Sequence, residues 1–178
     1  MRMLRLVLLA ASLLPGAALA QSHSPVLDAL RQNAEHAQRN LVEAAESMPA
    51  DKYGFKPTPA QMSFGELVLH VAGANDYMCS TISGTKAPAE PKLEATGSKA
   101  TLVARVRRSF AFCSSALAKL GDDGLGETVP FFGGRTISRA GAVLDLVADW
   151  ADHYGASAIY LRLNGILPPT AKKSGASE

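Results

Sequence analysis

The chain has 178 residues, 47% of them hydrophobic, with 18 Lys and Arg against 16 Asp and Glu. That length suits one domain with a single core. Both excess positive charges, Arg2 and Arg5, fall within the first twenty residues, and the remainder balances 16 basic against 16 acidic side chains, so the composition excludes an electrostatic footprint for nucleic acid.

Arg2 and Arg5 precede the apolar run Leu6 to Leu14, which Pro15-Gly16 breaks before Ala18-Leu19-Ala20. This pattern predicts a secretory signal peptide over residues 1–20, cut after Ala20, and a periplasmic or secreted mature chain. The apolar run is too short for a stable bilayer anchor, no cysteine follows the cut, and no second membrane span follows. A mature terminus Gln21-Ser22-His23 would carry a free amine followed by a histidine two residues on, a pattern able to chelate Cu(II) or Ni(II) unless Gln21 cyclises.

Ser24-Pro25 reads as an N-cap followed by a first-turn proline. Leu27, Leu30, Ala34, Ala37, Leu41, Ala45 and Met48 then recur at helical spacing up to Pro49, and His36 falls off that stripe. Asp51 to Ala60 is a loop stiffened by Lys56-Pro57-Thr58-Pro59. Ser63 and Glu66 form a capping-box pattern that opens a second helix, through Leu67, Val71, Met78 and Ile82, to a stop at Gly84. His70 sits at the edge of that apolar stripe.

Residues 86–97, with Pro88 and Pro91, make a long connection. Ser98 or Thr101 starts a third helix through Leu102, Val106, Phe110, Cys113 and Leu117, closed by Gly121-Asp122-Asp123-Gly124. Its Arg105-Val106-Arg107-Arg108 cluster reads as a solvated face. Thr128 to Ile137 is a short hairpin or a packed loop, with Gly133-Gly134 favouring the hairpin. Ser138 caps a fourth helix to about Asn164, and residues 170–178 form a small polar tail expected to be disordered.

Four helices with little strand predict an all-α four-helix bundle. Cys79 and Cys113 each lie towards the C-terminal end of a helix. Antiparallel neighbours would put them at opposite ends of the bundle; parallel neighbours would put them level. A parallel pair needs a long crossover, and residues 84–97 can span about 45–50 Å when extended against helices roughly 30 Å long. The expectation is an up-down-down-up bundle, with the cysteines bridged in an oxidising compartment or left as two buried thiols.

Asp149 and His153, four residues apart, share a face of the fourth helix with Leu146, Trp150, Ser157 and Tyr160. In the expected topology the second and fourth helices run antiparallel, and His70 comes level with His153. His70, Asp149 and His153 then make a two-histidine, one-carboxylate set for Zn, Ni, Fe or Mn. An Asp–His pair at this spacing can equally be a plain hydrogen bond. Asp145 and Asp152 point to the sides of that face, solvated or paired to Arg or Lys.

Three segments carry a family resemblance: Asp51-Lys52-Tyr53-Gly54-Phe55-Lys56-Pro57-Thr58-Pro59, Met62 through Ala72, and His153-Tyr154-Gly155 with Tyr160 through Pro169. The chain resembles the DinB-like (YfiT-like) four-helix-bundle proteins over residues 21–169. The resemblance implies the same up-down-down-up topology, frequent homodimers, and a divalent metal held by one histidine of the second helix and an H-x-x-x-H pair of the fourth. His70 and His153 match two of those ligands. The third falls on Asp149, and the Arg and Gln usual just after the second histidine are Tyr154 and Ala156 here. Aspartate is a harder donor and changes metal preference.

Relatives of this kind perform thiol transfer or hydrolase-like reactions. In the hydrolytic version the metal activates water at an open position. Export argues against the thiol version, because cytosolic thiol cosubstrates are not expected outside the cell. Glu66, Asp152, Tyr77 and Tyr160 are the acids and bases on offer, none with an assigned role. The leading expectation is therefore an exported metal-dependent hydrolase acting on a small molecule. The alternative is a non-catalytic periplasmic bundle with a vestigial site that binds a small ligand or a protein partner.

Overall fold

The computed structural model describes residues 24–172. The expected signal peptide, its cleavage site, the Gln21-Ser22-His23 chelate and residues 173–178 of the tail lie outside the described residues. Within them are four long helices, α1 (Pro25–Ser47), α2 (Phe64–Ser83), α3 (Lys99–Leu117) and α4 (Arg139–Leu163), and a hairpin of β1 (Thr128–Pro130) and β2 (Thr136–Ser138). No helix among the described residues is long and apolar enough to cross a membrane.

Local chemistry sets most helix ends. Ser63 accepts from the Glu66 N–H while the Glu66 carboxylate accepts from the Ser63 N–H, a closed capping box. Ser98 accepts from the Thr101 N–H and Ser138 from the Gly141 N–H. Gly84 ends α2 in the left-handed region at φ 71°, where a side chain would be strained.

The first helix departs from this pattern. Ser24 occupies the cap position but makes no capping hydrogen bond. Asp122, beyond the end of α3, accepts from the Val26 and Leu27 N–H groups at 3.0 Å each. In return the Arg31 guanidinium of α1 donates to the Leu117 and Leu120 carbonyls at the end of α3. The two antiparallel helices thus satisfy each other's orphan groups, with each charge on the favourable end of a helix dipole. Asp122→Ala is expected to cost about 1–2 kcal/mol in urea denaturation, whereas Ser24→Ala should cost almost nothing.

The contacts between helices fix their directions. Asn75 bonds Ser109, and Cys79 joins Cys113 in a disulfide with Cα atoms 5.3 Å apart, so α2 and α3 are parallel. Arg31 reaches Leu117 at one end of α1, and Lys99 donates to the Glu46 carbonyl at the other, so α1 opposes α3. Tyr160 donates to the Met62 carbonyl and Trp150 to Asn75, so α4 opposes α2. The bundle is up-down-down-up, and the cysteines are bridged. Its core centres on Phe64, Phe110, Leu102, Leu117, Leu146, Trp150 and Leu161.

The crossover after α2 lies close over it. A Cβ on Gly65 would come within 2.4 Å of the Ala95 carbonyl oxygen, so only glycine admits this approach. Arg108 clamps Glu90 of the crossover through Nε and Nη2. Of the basic cluster, Arg107 and Arg108 keep the exposed face expected of them, and Arg105 does not. Arg105 is buried with its guanidinium on Asp76 and near Glu90, and Arg107 pairs with Glu46. Arg105 faces α2 from the helical stripe of Leu102, Val106 and Ser109, and buried charge of this kind persists only when paired.

The hairpin pairs Thr128 with Ser138, Val129 with Ile137 and Pro130 with Thr136. Gly133 and Gly134 turn it with φ of 68° and 72°. It packs back on the bundle through Val129 and Phe131, and Phe132 stacks on Tyr77 of α2 at 4.1 Å. The tail expected to be disordered from residue 170 begins with structure. Pro169–Ala171 form a 3-10 turn, the Tyr154 hydroxyl accepts from the Thr170 N–H, and Lys172 pairs with Glu43.

Candidate metal centre

The three singled-out residues converge. Asp149 and His153 lie one turn apart on α4, and His70 meets them across the antiparallel seam from α2. One donor atom from each lies within 4.8 Å of the others. The His70 and His153 rings stand edge to face, with centroids 4.7 Å apart and planes at 83°. His153 Nε2 is 3.2 Å from Asp149 Oδ1. Two donors on one ion with bonds of about 2.1 Å stand roughly 3.0–3.4 Å apart, so this pair is already spaced to share one.

Burial grades the group. The side chains of His153 and Asp149 are 12% and 22% exposed, and His70 is exposed to solvent. Asp149 Oδ2 is buried and has no hydrogen-bond partner among the described residues. A buried carboxylate oxygen without a donor is costly, and a cation would remove that cost. Two imidazoles and one carboxylate, with one side open to solvent, therefore fit a divalent transition metal. The group can hold such an ion.

The electrostatics around His153 are set by carboxylates. The hydrogen bond with Asp149 raises its pKa above the ordinary value, burial opposes the rise, and the charges of Asp149 and Asp152 add to it. Asp152 Oδ2 lies 3.7 Å from the other ring nitrogen, Nδ1. Asp152 is thus exposed as expected, but its neighbour is His153 and not an arginine or lysine. The Ser157 hydroxyl donates to the His153 carbonyl at 2.8 Å and holds the next turn.

The other acids and bases are committed elsewhere. Glu66 is held low by its hydrogen bonds from Ser63 and sits 3.4 Å from Lys56. Tyr160, raised by burial and by the Glu66 charge, spends its hydroxyl on the Met62 carbonyl. Tyr77 stacks against the hairpin, and His36 lies on α1 beside Arg39. The indole of Trp150 donates to Asn75 Oδ1 at 2.7 Å and not to Asp149. Asn75 itself escaped the sequence reading, although a polar residue on the stripe of Val71, Ala72, Met78 and Cys79 was the available signal.

The pattern of the DinB superfamily matches residues 17–156. The chain belongs to the DinB superfamily. All three residues of the centre lie inside the matched stretch. Among solved structures, a DinB-like protein of Bacillus cereus superposes on this DinB chain with a TM-score of 0.67 at 17% identity, covering 80% of this chain and 95% of that one. A DinB-like protein of Bacillus subtilis gives 0.65 at 20% identity, covering 82% and 99%. A variant of a mycothiol-dependent maleylpyruvate isomerase gives 0.59 at 15% identity, covering 72% and 59%. At such identities the likeness is one of fold. No curated protein matches the chain at a significant level.

Proposed function

We propose that this DinB-superfamily chain is an exported metal-dependent hydrolase of small molecules, with His70, Asp149 and His153 holding Zn, Ni, Fe or Mn. The observation that carries the reading is the convergence of one donor atom from each of the three side chains to within 4.8 Å, on a carboxylate whose Oδ2 is buried without a hydrogen-bond partner among the described residues. A divalent ion there would supply Lewis acidity toward a carbonyl or phosphoryl oxygen and toward water. The chain contributes an open side at His70. An exposed groove, about 570 Å³ in volume and lined by Gly73, Tyr77 and Pro130, begins one turn further along α2. Export is supported by the signal-peptide pattern and by the disulfide, which suits an oxidising compartment. The same compartment disfavours a thiol cosubstrate.

One observation favours a second reading, a non-catalytic bundle that binds a ligand or partner: His153 Nε2 and Asp149 Oδ1 already pair with each other at 3.2 Å. Protein purified without a histidine tag, loaded with each metal in turn and offered a panel of esters, amides and phosphoesters separates the two. Hydrolysis that requires metal and disappears in His70→Ala supports the enzyme. Metal uptake that is substoichiometric for every ion and unchanged in His70→Ala defeats it.

The pH dependence gives an independent check. A raised folded pKa means that His153 adds stability to the metal-free protein below its ordinary value of about 6.5, and that this stability is lost as pH rises through the folded pKa. Metal binding requires the neutral imidazoles, so stabilisation by metal grows across the same window. Above about pH 6.5 the melting temperature in chelator should therefore fall while that with metal levels off, and the gap between them should widen as pH rises through the folded pKa. A metal increment that ignores pH would exclude histidine ligands.

A further inference from the structure

We propose that Asn75 is the positioning residue of the metal centre, setting the rotation and register of α4 against α2 through Trp150. This deepens the metal-centre reading and rests on it. Asn75 is fully buried on a helix face that is otherwise apolar. Its Nδ2 donates to Ser109 Oγ at 3.0 Å, and its Oδ1 accepts from Trp150 Nε1 at 2.7 Å. Ser109 in turn donates to the Val106 carbonyl at 2.8 Å. One amide therefore ties α2 to both α3 and α4, and one rung further along, the Cys79–Cys113 bridge ties α2 to α3 covalently.

Apolar side chains in place of both Asn75 and Trp150 would bury comparable surface with no donor left unpaired, so stability alone does not call for the pair. What the amide adds is direction. Apolar contacts let a helix slide or roll with small penalties, whereas an N–H···O bond at 2.7 Å resists both. Trp150 stands directly after Asp149 and three residues before His153, and Asn75 stands five residues after His70. At 1.5 Å rise per residue these offsets are roughly 4.5 and 7.5 Å along the helices. The indole–amide bond is thus the buried tie nearest the centre between its two helices. A metal site demands donors placed within about 0.5 Å, and a roll of α4 would carry Asp149 and His153 away from His70 together.

The test compares Asn75→Leu and Trp150→Phe with Leu117→Ala, a core truncation on α3, which contributes no ligand. The first readout is the nuclear Overhauser contact between the His70 and His153 rings in metal-free protein. The second is Co(II) affinity with its visible absorption spectrum. Asn75→Leu and Trp150→Phe are expected to fold, to lose the ring contact, to weaken Co(II) binding by about 10- to 100-fold and to change the spectrum. Leu117→Ala should lower the melting temperature at least as much and leave both readouts as in the wild type. The proposal is overturned if the ring contact and affinity persist in the first two variants, or if Leu117→Ala disturbs them equally. Should Asn75→Leu not fold, Trp150→Phe, which keeps a buried aromatic ring while removing the donor, decides alone, with Leu117→Ala as the control for lost volume. A wild type that binds no Co(II) would defeat the metal reading, and the ring contact would still decide the role of Asn75.

Discussion

Removing the Cys79–Cys113 bridge, by Cys79→Ala with Cys113→Ala, should lower the stability of the bundle by about 4 kcal/mol and its melting temperature by roughly 8–16 °C. The bridge joins residues 34 apart, and closing a loop of that length in the unfolded chain accounts for the figure on the chain-entropy model. The topology explains why this loop matters. Antiparallel neighbours can be joined by a short turn that keeps them close even when partly unfolded. The parallel pair α2 and α3 is joined only by the long crossover, so without the bridge its ends separate freely. Both cysteines are fully buried, so the alanines also leave a void, and the two contributions need separating. An unfolded chain released from its loop exposes more surface, and the urea m-value must rise. A stability loss with an unchanged m-value would assign the effect to the void and sink the entropic account.

Much of this architecture was readable from short-range chemistry. Ser63 with Glu66, Ser98, Gly84 and Ser138 mark helix ends because capping is a matter of three or four residues. The parallel pairing of α2 and α3 was readable because two cysteines sit at matching ends of their helices. The i, i+4 spacing placed Asp149 beside His153, and antiparallel register brought His70 level with them. What escaped depends on partners distant in sequence. Arg105 looks solvent-facing until Asp76 on α2 and Glu90 in the crossover come into place around it. Ser24 looks like a cap until Asp122, almost a hundred residues on, takes the role. Residues 170–172 look like the start of a loose tail until Tyr154 and Glu43 reach them. Asn75 is legible as an oddity on an apolar stripe, but its meaning requires Ser109 and Trp150, on two other helices.

Asp149 carries the sharpest expected effect on the centre, because its two oxygens face different circumstances. Oδ1 stands 3.2 Å from His153 Nε2, and Oδ2 is buried with no partner among the described residues. In metal-free protein Asp149→Ala gives up a charge-assisted hydrogen bond worth about 1.5–3 kcal/mol and also relieves an unsatisfied oxygen costing about 1–3 kcal/mol. The two largely cancel, so stability should change by no more than about 2 kcal/mol. Metal binding enjoys no such cancellation. Loss of an oriented partner outside the ligand shell typically costs 10- to 100-fold in affinity, so loss of a ligand should cost at least about 100-fold. Asp149→Asn sharpens the point: its carbonyl can still accept from His153, but it brings no charge to a cation, so it should keep the fold and still bind metal poorly. Asp149→His supplies a third imidazole and should shift preference toward zinc over harder ions such as manganese. Isothermal titration of the three variants, paired with urea melts in chelator, reads both quantities. If Asp149→Ala instead loses several kcal/mol of stability while metal affinity holds, the carboxylate is a structural partner of His153, and the centre binds metal without it or not at all.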